Sequence, residues 1–170
     1  MKNILLFALI LIIPTVSFSQ KRKIKKANED TAEWRYEIEA LEVGTQGTSL
    51  VKVWSYSKNP TVASSQARKN AVHGIIFKGI PSKDRIQGRK PLVQDPAVES
   101  QFADFFNKFF ADGGDFMRYV TLTNNGAIEG GDIMKIGKEY KVGVNVTVNY
   151  SDLRKALEDA GVIKKLGAGF

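Results

Sequence analysis

A single histidine, His73, lies within the stretch NPTVASSQARKNAVHGIIFKG, residues 59–79. An imidazole can serve as a general base or a metal ligand near neutral pH. Each role needs companions. The chain has no second histidine and no cysteine to complete a nitrogen or sulfur metal set, and no nucleophile-elbow serine stands beside His73. His73 also falls at the edge of an apolar stripe with helical spacing. It reads as a structural or surface histidine.

Carboxylates form the next group. Glu37 and Glu39 are two residues apart and share one face of a strand-like run. A paired-carboxylate hydrolase needs two acids converging on a cleft, whereas exposed strand acids mostly solvate. Asp112, Asp115, Glu129 and Asp132 frame two Gly-Gly pairs, in DGGD and EGGD. Oxygen-rich glycine loops can bind calcium, but neither matches the twelve-residue calcium loop, and turns share this composition. The sequence therefore points to no metal, no cofactor and no catalytic residue.

The basic segment GIPSKDRIQGRKPLVQDP, residues 79–96, carries Lys83, Arg85, Arg89 and Lys90 against Asp84 and Asp95. These four cations are the candidate site for an anion or for a partner's acidic patch. The glycines lack phosphate-loop spacing, so a mobile loop is the competing reading. Asn145-Val-Thr and Asn149-Tyr-Ser fit the N-glycosylation pattern, and Asp30-Thr31-Ala32 fits a short O-glycosylation pattern.

These residues must be positioned by a small number of elements. The start, MKNILLFALILIIPTVSFSQ, has Lys2 before an unbroken apolar run from Ile4 to Ile13, then Pro14, with Ser17 and Ser19 at the small positions of a cleavage site. The run is too short to cross a hydrocarbon core of roughly 30 Å as a helix. Residues 1–19 read as a signal peptide, and their removal takes one lysine and no acid from the net charge of +7. Residues 20–32 read as a basic flexible leader; export argues against a nucleic-acid role for it. Without cysteine there is no disulfide framework and no lipidated cysteine. The domain then depends on its apolar core.

In WRYEIEALEV, Trp34, Tyr36, Ile38 and Ala40 share a face. GTQGT turns the chain into LVKVWSYS, which predicts a hairpin. Asn59 and Pro60 open a helix whose stripe runs through Val62, Ala63, Ala67, Ala71, Val72, Ile75 and Ile76. Asp95 and Pro96 open a second, with Phe102, Phe105, Phe106, Phe109 and Phe110 on one stripe ended by Gly113 and Gly114. This stripe is expected to anchor the core. FMRYVTLT reads as a strand, NNG as a turn, and Ile133–Ile136 as a short extra strand. EYKVGVNVTVNYS alternates throughout, with Tyr140, Val142, Val144, Val146, Val148 and Tyr150 on the buried side. SDLRKALEDAG closes as a helix capped by Ser151 and stopped by Gly161.

The order β-β-α-α-β-β-α predicts an α+β domain over residues 33–163, with an antiparallel sheet of about four strands, two or three helices on one face, and a tail at 164–170. The segments KVWSYSKNPTVASSQARKNAV and GKEYKVGVNVTVNYSDLRKALEDAG resemble the LPP20-like lipoproteins and the N-terminal domain of the flagellar assembly protein T. The resemblance follows the order of elements over residues 34–160, and the missing cysteine departs from the lipoprotein members. It implies a helix pair against an antiparallel sheet and roles in envelope assembly through protein contacts. The expectation is an exported, non-enzymatic binding or assembly module of the bacterial envelope, in the periplasm, at the outer membrane or beyond the cell. Its partner is expected to be an envelope protein, with membrane-surface or polysaccharide contact as further options. A small enzyme or ligand carrier with its site between loop 79–96 and the sheet, and a self-assembling structural subunit, are the alternatives.

Overall fold

The structure, a computed structural model, describes residues 34–42 and 47–167. The signal peptide, the leader and the Asp30-Thr31-Ala32 pattern lie outside the described residues. Strand β1 (Tyr36–Glu42) pairs antiparallel with β2 (Thr48–Ser57), with a register shift between Ala40 and Glu42. β2 pairs along its whole length with β5 (Glu139–Asn149). The other flank of β5 is shared by two short strands, β3 (Val120–Leu122) and β4 (Ile133–Ile136). The sheet is antiparallel throughout, in the order β1-β2-β5-β3, with β4 also on β5. The expected α+β class and hairpin are what the chain adopts.

Alternation decides the faces. Val142, Val144, Val146 and Val148 of β5, Val51 and Val53 of β2, and Ile38 and Ala40 of β1 are buried on one side. Helix α1 (Ala63–His73) lies on that side, and its Ala67 and Ala71 have no exposed surface. Small side chains bring its backbone close to the sheet. A polar contact crosses this layer, where the Asn70 amide nitrogen donates to Ser55 Oγ at 2.9 Å, while Asn70 Oδ1 has no hydrogen-bond partner among the described residues.

α1 continues as a π-helical turn, Gly74–Lys78, closed by the Gly79 amide on the Gly74 carbonyl at 2.8 Å. A helix end leaves carbonyls without helical partners. Those of Ile75 and Ile76 accept from the amides of Leu92 and Val93, at 3.2 and 2.9 Å. Segment 79–96 is thereby stitched to the helix, with Leu92 and Val93 buried.

The phenylalanine helix is split into α2 (Ala97–Gln101) and α3 (Ala103–Phe109) at Phe102, whose φ of −107° and ψ of 28° leave the helical region. Phe106, Phe109 and Phe110 are buried, while Phe102 and Phe105 are partly buried. The rings meet α1 and the turn after them, with Phe106 edge-on to Phe77 and Phe110 against Phe116. The stripe packs into the core, as expected.

Several boundaries differ from the sequence reading: Pro60–Val62 is a 3₁₀ turn ahead of α1, which has no side-chain cap, and α3 ends at Phe109, before Gly113 and Gly114. FMRYVTLT is not one strand: Asp115–Tyr119 is a 3₁₀ turn, and only Val120–Leu122 extends. Period two would put Arg118 on the buried side with Phe116 and Val120. The three-residue turn buries Phe116 and leaves Arg118 largely exposed. The last helix, α4 (Tyr150–Asp159), begins one residue earlier than expected, capped by Asn149 rather than Ser151. Asn149 Oδ1 accepts from the Asp152 amide at 3.2 Å.

Candidate functional site

His73 is enclosed. Its residue is 4% exposed, and Trp34 stacks on the ring with centroids 3.5 Å apart. Phe77 and Phe110 close two further sides. The Tyr36 hydroxyl lies 2.7 Å from Nδ1. Nε2 has no hydrogen-bond partner among the described residues and faces Glu99 Oε1 at 3.6 Å. A carboxylate opposite Nε2 favours the tautomer with its proton on that nitrogen, which makes Tyr36 the donor to Nδ1. Burial, with Lys78 and Lys69 nearby, pushes the imidazole pKa down to about 3, so the ring is neutral. Burial raises the Tyr36 phenol, with Glu99 adding to the effect. The Lys78 ammonium lies over the Tyr36 ring at 3.8 Å and is itself lowered by desolvation. A depression of about 430 Å³ opens beside this cluster, between Trp34, Lys69, Glu99 and Asp112.

The strand acids face the other side of the sheet, where each has two donors. Glu37 accepts from Lys141 at 2.7 Å and Tyr56 at 2.5 Å. Glu39 accepts from Trp54 Nε1 at 2.7 Å and Lys83 at 2.5 Å. These bonds hold both carboxyls below the usual carboxylate range. Paired acid–base chemistry needs environments that push two groups apart, and here both move the same way. Gly143 makes room for the Trp54 ring, since a Cβ there would stand 2.9 Å from Cζ3. Lys52 completes the lattice by pairing with Asp132 at 2.7 Å.

Of the acids of DGGD and EGGD, Asp132 holds Lys52, Glu129 accepts from Asn145 at 3.5 Å, and the exposed Asp115 stands 3.7 Å from Arg118. Among the described residues, no group of three or more His, Cys, Asp or Glu is placed to hold a metal ion. Asn145 lies in β5 and Asn149 caps α4.

The four predicted cations have different surroundings. Segment 80–89 folds back on itself, with Ile80 bridging Arg89 and Lys83 bridging Ile86. Lys83 turns to Glu39 on β1. Arg89 lies over the Tyr150 ring at 4.7 Å, beside α4. Among the described residues no ion pair engages Arg85 or Lys90, and both, with Lys83, are exposed.

One surface was not legible beforehand. β4 stands at the sheet border with Ile133, Met134 and Ile136 exposed by 42%, 40% and 50%. Its register against β5 puts Met134 opposite Lys141 and Ile136 opposite Glu139, on the polar side, and Ile133 opposite Val142, on the core side. Apolar residues at both parities in IMKI were the available signal, but the same pattern describes a strand buried on both faces.

No helix among the described residues is long and apolar enough to cross a membrane. No family model matches the chain, and neither the curated proteins nor the solved structures provide a match.

Proposed function

We propose that the chain is an exported, non-enzymatic binding and assembly module of the bacterial envelope that acts through protein–protein contacts at β4. The apolar border strand carries this reading. Three large apolar side chains on four successive residues are exposed next to a strand edge whose outer backbone groups have no strand neighbour among the described residues. Such an edge is a template for an added strand, with backbone bonds supplying affinity and alternating side chains supplying choice. The occupant is an extended segment of an envelope protein. The apolar leader at residues 1–19, with its signal-peptide pattern, supports export, and the resemblance to envelope domains supports the partner class.

A photo-crosslinker in place of Lys135 tests the reading in envelope extracts. The expected result is one discrete protein adduct, lost when Met134→Lys and Ile136→Lys are added while the melting temperature holds. Adducts unchanged by those substitutions would refute the contact. Size-exclusion chromatography separates the self-assembling alternative, in which the crosslinked partner is a second copy.

A further inference from the structure

The predicted basic cluster divides in the folded chain, and Arg89 joins a different set of cations. Beyond the end of helix α4 at Asp159, Gly161, with a φ of 73°, reverses the chain. The Val162 amide returns to the Leu157 carbonyl at 2.9 Å, and the Val162 side chain is buried. That anchor carries Lys165 and Leu166 back alongside the helix. The 80–89 hairpin approaches the same place from the other side and lays Arg89 on Tyr150. Between them lies a depression of about 490 Å³ whose charged lining is Arg89, Arg154, Lys155, Lys165, Glu158 and Asp159.

Charges there are unequal. Arg154 pairs with Glu158 at 2.8 Å and Lys155 with Asp159 at 2.9 Å. Among the described residues, no salt bridge engages Arg89 or Lys165, and although the Lys165 charge reaches Asp159, the four cations of the lining outnumber its two acids. The planar guanidinium, held against a ring, offers donors in the fork that suits a phosphate. Leu166 lines the same depression and, at 77%, is the most exposed large apolar residue described. Cations around a depression with an apolar side chain at its rim match a membrane surface, where phosphates lie above the acyl boundary.

We propose that this depression receives the phosphate of an anionic lipid headgroup, with Arg89 and Lys165 as its principal contacts and Leu166 entering the acyl boundary beside it. The inference does not depend on β4.

The chain has no cysteine, so Leu166→Cys carries one environment-sensitive fluorophore at the site. In the full chain, vesicles containing phosphatidylglycerol should shift its emission to the blue, and pure phosphatidylcholine vesicles should not. Adding Arg89→Glu and Lys165→Glu should weaken the response roughly tenfold or more at low ionic strength, at about 1 kcal/mol per basic residue near such a surface. An unchanged response in that double variant, or no response to anionic vesicles, would overturn the proposal. A response to inorganic phosphate without one to vesicles would reject the lipid and assign the site to a soluble phosphate ester. A local readout keeps the apolar segment at residues 4–13 from deciding the result.

Discussion

The Tyr36 hydroxyl and His73 Nδ1 lie 2.7 Å apart inside the core, joining the first strand to the first helix. Trp34 covers the imidazole, and a neutral ring with a neutral phenol satisfies the pair without burying a charge.

That neutrality makes stability depend on pH. His73 binds a proton near pH 6.5 when unfolded but only near pH 3 when folded. The contribution is complete above pH 6.5 and declines as pH falls towards 3, because the unfolded state takes up the proton first. Between pH 7 and 5 the loss should be about 2 kcal/mol. Urea unfolding at the two pH values measures it, and His73→Phe should show a flatter dependence over this interval.

Removing the phenol oxygen should leave Nδ1 buried and unpaired. Tyr36→Phe is expected to lower stability by about 1–3 kcal/mol. A double-mutant cycle with His73→Phe should show coupling between the two positions. Additive effects would mean that the bond contributes nothing of its own.

The split phenylalanine helix should divide its substitutions into two classes. Phe106→Ala and Phe110→Ala empty buried positions and should each cost about 3–5 kcal/mol. Phe102→Ala, at the partly buried helix break, should cost less than half as much in the same denaturant titration.

On the polar side of the sheet, Gly143→Leu would drive a side chain into the Trp54 ring. The expected penalty is about 1–3 kcal/mol, accompanied by a change in Trp54 fluorescence. A Trp34→Phe background leaves Trp54 as the only indole, so the signal reports this contact alone.

Much of the fold was legible because its signals are local. The alternation of β5 and the alanine stripe of α1 each repeat at one period over about ten residues, and burial follows that period wherever one face is dry. The 3₁₀ turn at Asp115–Tyr119 was hidden because Phe116, Arg118 and Val120 also fit a strand; the buried slot beside Phe110 selected the turn. The site was less legible. Lys83, Arg85, Arg89 and Lys90 are neighbours in sequence, yet the hairpin gives Lys83 to Glu39 and Arg89 to Tyr150.

By itself, the sequence determined the faces of the strands and helices, the chain's dependence on an apolar core without disulfides, and that His73 has no second histidine or cysteine to join it. Periodicity and residue inventory are properties of the chain before it folds. Tertiary structure decided which cations meet at α4, which short strand was left at the border, and that His73 lies against Tyr36 and Trp34. Those outcomes depend on contacts between residues far apart in sequence, set by how the helices settle on the sheet rather than by any local period.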